Sequence, residues 1–289
     1  MMPAKILLRP RKSSKTNGDV PVKFGDSPPT TALSLPESGR YVYGILPSRD
    51  RLDFDCIGIG GKGEPVYTVN YRDLAAVVSN TSVYFFDPTR ENALAHEQVI
   101  ETVMTNHTVI PMSFGAIFRT DNDIREVLKS IYSSLKDVLD QLSGKLEFGL
   151  KVNWDRDQII EDLKQEDVEI RKFHQEILHK HLESTYVARM QLGRMIDRAL
   201  GERSTGYVRE IYEALREVCV VSRDNQPIGD KMIMNAAFLV ERDRQPEFDQ
   251  AVNEIAKKCG ERLKFRYTGP WPPYNFVNIR LKLERAGAR

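Results

Sequence analysis

Apolar residues recur along this chain in two rhythms, one suited to strands and one to helices. Tyr41-Val42-Tyr43-Gly44-Ile45-Leu46, closed by Pro47, predicts a strand. Pro65-Val66-Tyr67-Thr68-Val69 and Leu74 to Ser79 predict two more. Leu146, Phe148, Leu150, Val152 and Trp154 recur at every second position, the pattern of a half-buried strand. Leu263, Phe265 and Tyr267 repeat that alternation, as do Val277, Ile279 and Leu281, while Cys219-Val220-Val221 and Met234 to Val240 are strand-like. Val109 to Phe118 is apolar but carries Pro111 and Gly115, so it reads as an irregular strand at a sheet edge.

Helical spacing fills the intervals. Asp87-Pro88 predicts a helix start, with Val99, Ile100, Val103 and Met104 on its apolar face. Ile124, Val127, Leu128, Ile131, Leu135, Val138, Leu139 and Leu142 form one helical stripe. Thr120 is placed to cap it with Asp123, and Gly144 to end it. Pro246 to Lys258 reads as an amphipathic helix carrying Phe248, Val252 and Ile255 and ended by Gly260. Residues 156–217 are charged and helical, with Ile159, Leu163, Ile170, Phe173, Ile177, Leu182 and Val187 as intermittent apolar contacts.

Strand–helix–strand units with short connections predict an α+β fold: two domains of ferredoxin-like βαβ character, joined or covered by a charged helical region. The expected bounds are a disordered basic tail at 1–38, an N-terminal α+β domain at 39–155, the helical region at 156–217 and a C-terminal ferredoxin-like domain at 218–289. The tail carries Lys5, Arg9, Arg11, Lys12, Lys15 and Lys23 with few large apolar residues, too few to offset the entropy of ordering it.

Composition narrows the partners. Of 289 residues 41% are apolar and 29% charged, with a formal net charge of +1, so no global field draws the chain to nucleic acid or membrane. No apolar run reaches the length of a membrane span, and no signal-peptide core follows the basic N-terminus. Cys56, Cys219 and Cys259 are far apart and form no CxxC pair, which predicts buried thiols in a reducing cytosol.

The residues that resemble active-site motifs do not complete one. His96-Glu97 begins a zinc-protease pattern, but Ile100 stands where the second histidine is required. Neighbouring helical residues also point in different directions, so the pair is expected to pack structurally. His174, His179 and His181 lack the cysteine or convergent carboxylates of a metal site. Gly58, Gly60, Gly61 and Gly63 precede a strand where a phosphate cradle needs a helix, so they predict a turn. Neither GxSxG nor a Walker A motif occurs. The expectation is a non-enzyme with no catalytic, cofactor-binding or metal-binding residues.

One stretch stands apart. Tyr267-Thr268-Gly269-Pro270-Trp271-Pro272-Pro273-Tyr274-Asn275-Phe276 concentrates proline and aromatic residues. Prolines stiffen a backbone and lower the entropy lost on docking, and Trp and Tyr anchor interfaces. The stretch reads either as a rigid aromatic docking surface or as a fixed connection whose rings pack back on the C-terminal core. The expected partner-binding residues are Tyr267, Trp271, Tyr274 and Phe276, with Phe114 and Phe118 behind them.

YTGPWPPYNF is similar to the C-terminal signature of the GvpF/GvpL gas vesicle proteins. NAAFLVERDRQPEFDQAV (Asn235 to Val252), YVYGI, DLAAVVS, HEQVIETVM, VIPMSFGAIF and LEFGLKVNWD also resemble that family, in its order, over about residues 40–282. About 40 residues precede the first strand, more than in many relatives, and Met112-Ser113 replace an expected small or apolar residue and Arg. The resemblance implies a two-domain α+β accessory protein, a minor vesicle component in the cytoplasm. It implies binding to the small hydrophobic shell protein, limiting its aggregation and supporting vesicle nucleation and assembly, with other accessory proteins as further partners. No cofactor, nucleic acid, membrane insertion or small-molecule ligand is implied. The alternatives are a ferredoxin-like regulatory or small-molecule-binding module, an RNA-binding sheet and an enzyme. The RNA reading lacks a basic–aromatic strand.

Overall fold

The structure, a computed structural model, describes residues 38–61, 63–178 and 186–277. The basic tail up to residue 37, His179, His181 and the alternation beyond Val277 lie outside the described residues.

The chain forms an α+β fold of two antiparallel sheets. In the first, β1 (Gly39–Pro47) pairs with β4 (Leu74–Thr81), which pairs with β3 (Glu64–Tyr71), and that with the edge strand β2 (Asp53–Gly58). Two short strands, β5 (Ile110–Pro111) and β6 (Ile117–Phe118), flank β1 on its other side. A bulge between Val42 and Gly44 brings β1 close to β5. A side chain at Gly44 would stand 2.7 Å from Val109 Cγ2 and 3.0 Å from the Ile110 carbonyl, so only glycine fits.

Both faces of this sheet are covered. α1 (Arg90–Asn106) presses Val99, Ile100 and Val103 toward Tyr41, Tyr43, Val66 and Val77. On the opposite face α2 (Asp121–Ser130) and α3 (Tyr132–Leu142) bring Ile124, Leu128, Leu135 and Leu139 to Val42, Ile45, Ala76 and Val78.

The second sheet has the order β10-β7-β9-β8, with β7 (Lys145–Trp154) between β9 (Met232–Glu241) and β10 (Leu263–Trp271), and β8 (Val221–Asp224) at one edge. The helices α4 (Arg156–Glu166), α5 (Val168–Leu178) and α6 (Tyr186–Leu215) connect β7 to β8, and α7 (Gln245–Cys259) connects β9 to β10. Phe148, Phe238 and Phe248 meet at 5.4 to 5.7 Å between ring centroids, at the centre of the core between sheet and helices. Each such ring contributes roughly 2–3 kcal/mol through burial.

Several expectations are refined. The helix expected at Asp87-Pro88 begins at Arg90, because Thr89 is the cap and accepts from the Asn92 amide at 3.2 Å. Asp87 instead offers its carbonyl to Thr89 N and Asn92 Nδ2. The single stripe of Ile124 to Leu142 is two helices that meet at Ile131, whose φ of −120° is not helical. Thr120 and Asp123 do form a reciprocal capping box. The irregular strand of Val109 to Phe118 is two short pairings separated by a turn at Gly115, which has φ 89°. Strand β2 has no counterpart in the apolar pattern. In the first sheet β1 to β4 run in succession before any helix, so its topology is not the βαβ expected there. Cys259 is buried, whereas Cys219 is only half-buried.

Candidate docking surface at the proline-rich strap

Near its end β10 bulges between Thr268 and Trp271, and beyond it the chain reaches α1 of the first sheet at Tyr274. Gly269, at φ 129°, allows the bulge: a Cβ there would meet Phe148 Cδ1 at 2.8 Å and the Glu147 carbonyl at 2.9 Å. Trp271 lies opposite Glu147 in the ladder, and Pro272 and Pro273 are buried. Tyr274–Phe276 then forms a single 3-10 turn, closed by Phe276 N donating to the Pro273 carbonyl at 3.1 Å.

Two carboxylates hold this strap. Glu147, on β7 and only 4% exposed, accepts from the Asn275 amide at 2.8 Å and from Asn275 Nδ2 at 2.6 Å. Burial raises its carboxyl above the usual range, opposed by those bonds and by the Arg223 charge. Arg223 completes the clamp by donating to the Asn275 carbonyl at 2.5 Å. On the side of the first sheet, Tyr274 donates to Glu97 Oε2 on α1 at 3.2 Å. The other oxygen of Glu97 is buried without a hydrogen-bond partner. Burial therefore pushes the Glu97 carboxyl up to about 7, with the Tyr274 bond opposing and Glu101 and Glu147 adding to the rise. Tyr274 is 36% exposed as a residue, yet its hydroxyl end is enclosed; burial and Glu97 move it far up.

His96, the neighbour of Glu97, faces the core. Its Nδ1 is 3.0 Å from the Tyr41 hydroxyl and its Nε2 is 3.2 Å from the Met112 carbonyl. A carbonyl only accepts, so Nε2 carries the proton and Tyr41 donates to Nδ1. Burial lowers this imidazole to about 4. The pair is a packed histidine and a strap-holding carboxyl, each on a different side of the helix.

The aromatic residues expected to bind a partner are not gathered into one patch. Tyr267 stacks on Phe148 at 5.6 Å and donates to Asp249 at 2.5 Å, inside the helix-covered core. Phe114 packs edge-on to Tyr41 and His96 in the core beneath α1. Phe118 is half-buried against Ile124 and Leu128. Trp271, Tyr274 and Phe276 remain on the strap, each half-buried or at its surface.

Beside Phe276 opens a groove of about 690 Å3, lined by Leu142, Lys145, Val220, Val221, Arg223 and Leu239 among others. Its wall is β8, exposed along its whole length and without a strand partner on its outer edge among the described residues. Val220 is 50% and Val221 46% exposed. Sequence reasoning missed Glu147 and this groove, and read Glu97 as a packing residue without its contact to Tyr274. The one available signal was Glu147, a charge set within the alternating strand of Leu146 to Trp154.

These features define a two-sheet α+β protein; among the described residues no cluster of His, Cys, Asp and Glu is placed to hold a metal. The family model described as gas vesicle synthesis protein GvpL/GvpF matches residues 39–278. The chain belongs to that family, and its role is that of a gas vesicle accessory protein. It is 31% identical over 258 residues to gas vesicle protein F2 of Halobacterium salinarum, covering 87% of this chain and 98% of that protein. Gas vesicle protein F of Haloferax mediterranei is 28% identical over 253 residues, covering 86% and 98%. The crystal structure of gas vesicle protein GvpF from Microcystis aeruginosa aligns with a TM-score of 0.68 at 25% identity, covering 82% of this chain and 98% of that one. That of GvpF from Anabaena shares the fold with a TM-score of 0.75 at 24% identity, covering 84% and 99%.

Proposed function

We propose that this protein binds the hydrophobic gas vesicle shell protein in the cytoplasm, limits its aggregation and supports vesicle nucleation and assembly. Membership of the gas vesicle family across residues 39–278 carries this reading. The exposed outer edge of β8, which has no strand partner among the described residues, and the exposed Val220 and Val221 support it, since an apolar partner is covered by strand addition or by apolar contact. Trp271, Tyr274 and Phe276 are the contact residues proposed on the strap, with Tyr267, Phe114 and Phe118 supporting them from within.

Co-expression with the shell protein tests the proposal. Shell protein is expected to stay soluble and co-purify. Shell protein that aggregates as it does alone, beside a folded partner, overturns the reading. Trp271→Ala with Tyr274→Ala is expected to weaken co-purification at least severalfold. Unchanged binding by the folded double variant moves the contact elsewhere.

A further inference from the structure

The second sheet has one face packed on helices; the other is closed by α3 and the strap only at its first row, where Glu147 and Leu239 are each 4% exposed. Register assigns the residues. Leu146, Phe148, Leu150 and Val152 face the helices, so Glu147, Gly149, Lys151 and Asn153 take the other side. Their ladder partners continue the rows. Glu147 lies opposite Leu239, which lies opposite Val221. Gly149 lies between Thr268 and Ala237, and Ala237 opposite Arg223. Lys151 lies opposite Arg266, and Asn153 opposite Lys264.

This face therefore changes character along β7. Its first row runs from the buried Glu147 and Leu239 to the exposed Val221, which with Leu239 lines the groove beside Phe276. Small residues follow, and then exposed cations. The carboxylates carried by these four strands are committed or peripheral. Glu147 is buried and holds Asn275. Asp224 lies opposite Ala236, on the helix-covered side. Glu241 stands at the far end, opposite Lys145. A local excess of positive charge thus sits on a chain whose formal net charge is only +1. Complementary charge steers and orients a partner.

We infer that this face docks an acidic amphipathic segment of a partner protein. Its apolar side chains enter the groove beside Val221, Leu239 and Phe276, and its carboxylates lie over Lys151, Lys264 and Arg223. The inference rests on the partner-binding reading above and deepens it by assigning the surface and the chemistry it accepts.

The test uses the full chain and a fluorescein-labelled amphipathic peptide of Leu and Glu, with a Leu/Lys peptide and a single-stranded RNA as comparators. The acidic peptide is expected to bind, more weakly as salt rises, and the basic peptide not to bind. Lys151→Glu with Lys264→Glu, both exposed positions, is expected to lower its affinity about tenfold or more with Tm unchanged. Val221→Asp is expected to lower it as well. Acidic-peptide binding that survives the double reversal overturns the assignment. So does tighter binding of RNA than of peptide, or a wild-type dimer that the reversal dissociates. Shell-protein co-purification separates the two readings. Retention by both wild type and the double reversal removes this face and leaves the proposed function standing. Loss with both removes the proposed function itself. Loss with the reversal alone supports both.

Discussion

The two sheets differ in what covers them, and the difference is written in their strands. β4 is buried on both faces: Ala75 and Val77 meet the helix α1, while Leu74, Ala76 and Val78 meet α2 and α3. Its sequence is accordingly a continuous apolar run. β7 packs on helices along one face, while the other is closed only at Glu147, beneath the strap, and its apolar residues come at every second position. A sheet enclosed on both sides has no surface left for a partner except its edges. The half-covered sheet keeps a face, an edge and a groove.

A charge introduced on each sheet breaks or sharpens this contrast. Ala76→Asp places a carboxylate where only 1% of the residue is exposed, and is expected to destabilise by about 4 kcal/mol or more. Denaturant unfolding measures it. A loss no larger than that of an exposed-site variant would mean the covered face is not tightly packed. Glu147→Ala is the intermediate case. It leaves the Asn275 amide and side chain without their acceptor, at a cost of about 2–3 kcal/mol. Proteolysis is expected to reach the strap sooner, and an unchanged cleavage pattern would show that Glu147 does not hold it.

The smallest effect is expected at Glu97. Its folded-state value, near 7, lies above the ordinary 4.5, so the fold prefers the protonated form. Stability from this group is complete below its ordinary value and is lost as pH rises through about 7. His96, held near 4 against an ordinary 6.5, acts in the opposite sense and loses stability as pH falls through about 4. Glu97→Gln is therefore expected to flatten the decline in Tm between about pH 5 and pH 8. The effect is about 1 kcal/mol, since the group is half-buried and partly screened. A decline as steep as in the wild type would place the titrating group elsewhere.

Most strands were legible because covering writes a period into them. Leu146 to Trp154, Leu263 to Tyr267 and Tyr41 to Leu46 all fall within strands. What failed depended on contacts distant in sequence. β2 reads Asp-Phe-Asp-Cys-Ile-Gly and is recruited by pairing with β3, which no local pattern reports. Ile131 fits a helical stripe, yet the chain breaks there into two helices that pack on the same face of one sheet. At the strap, proline and aromatic content marked the segment. It did not show that Tyr267 turns inward while Asn275, a residue of no special composition, takes both oxygens of Glu147.

The position of β7 bears on how the molecule is made. Of its two partners, β9 lies beyond the helices α4 to α6 and β10 beyond α7 as well, whereas β1 to β4 are nearly adjacent. As the chain leaves the ribosome, the first sheet has the local contacts to close early. β7 must wait with Leu146, Phe148 and Leu150 unburied and both edges bare, the condition in which strands adhere to other chains. A nascent chain stopped between α6 and β9 is expected to be adhesive itself, so a protein proposed to shield an apolar partner passes through a stage in which it too needs shielding.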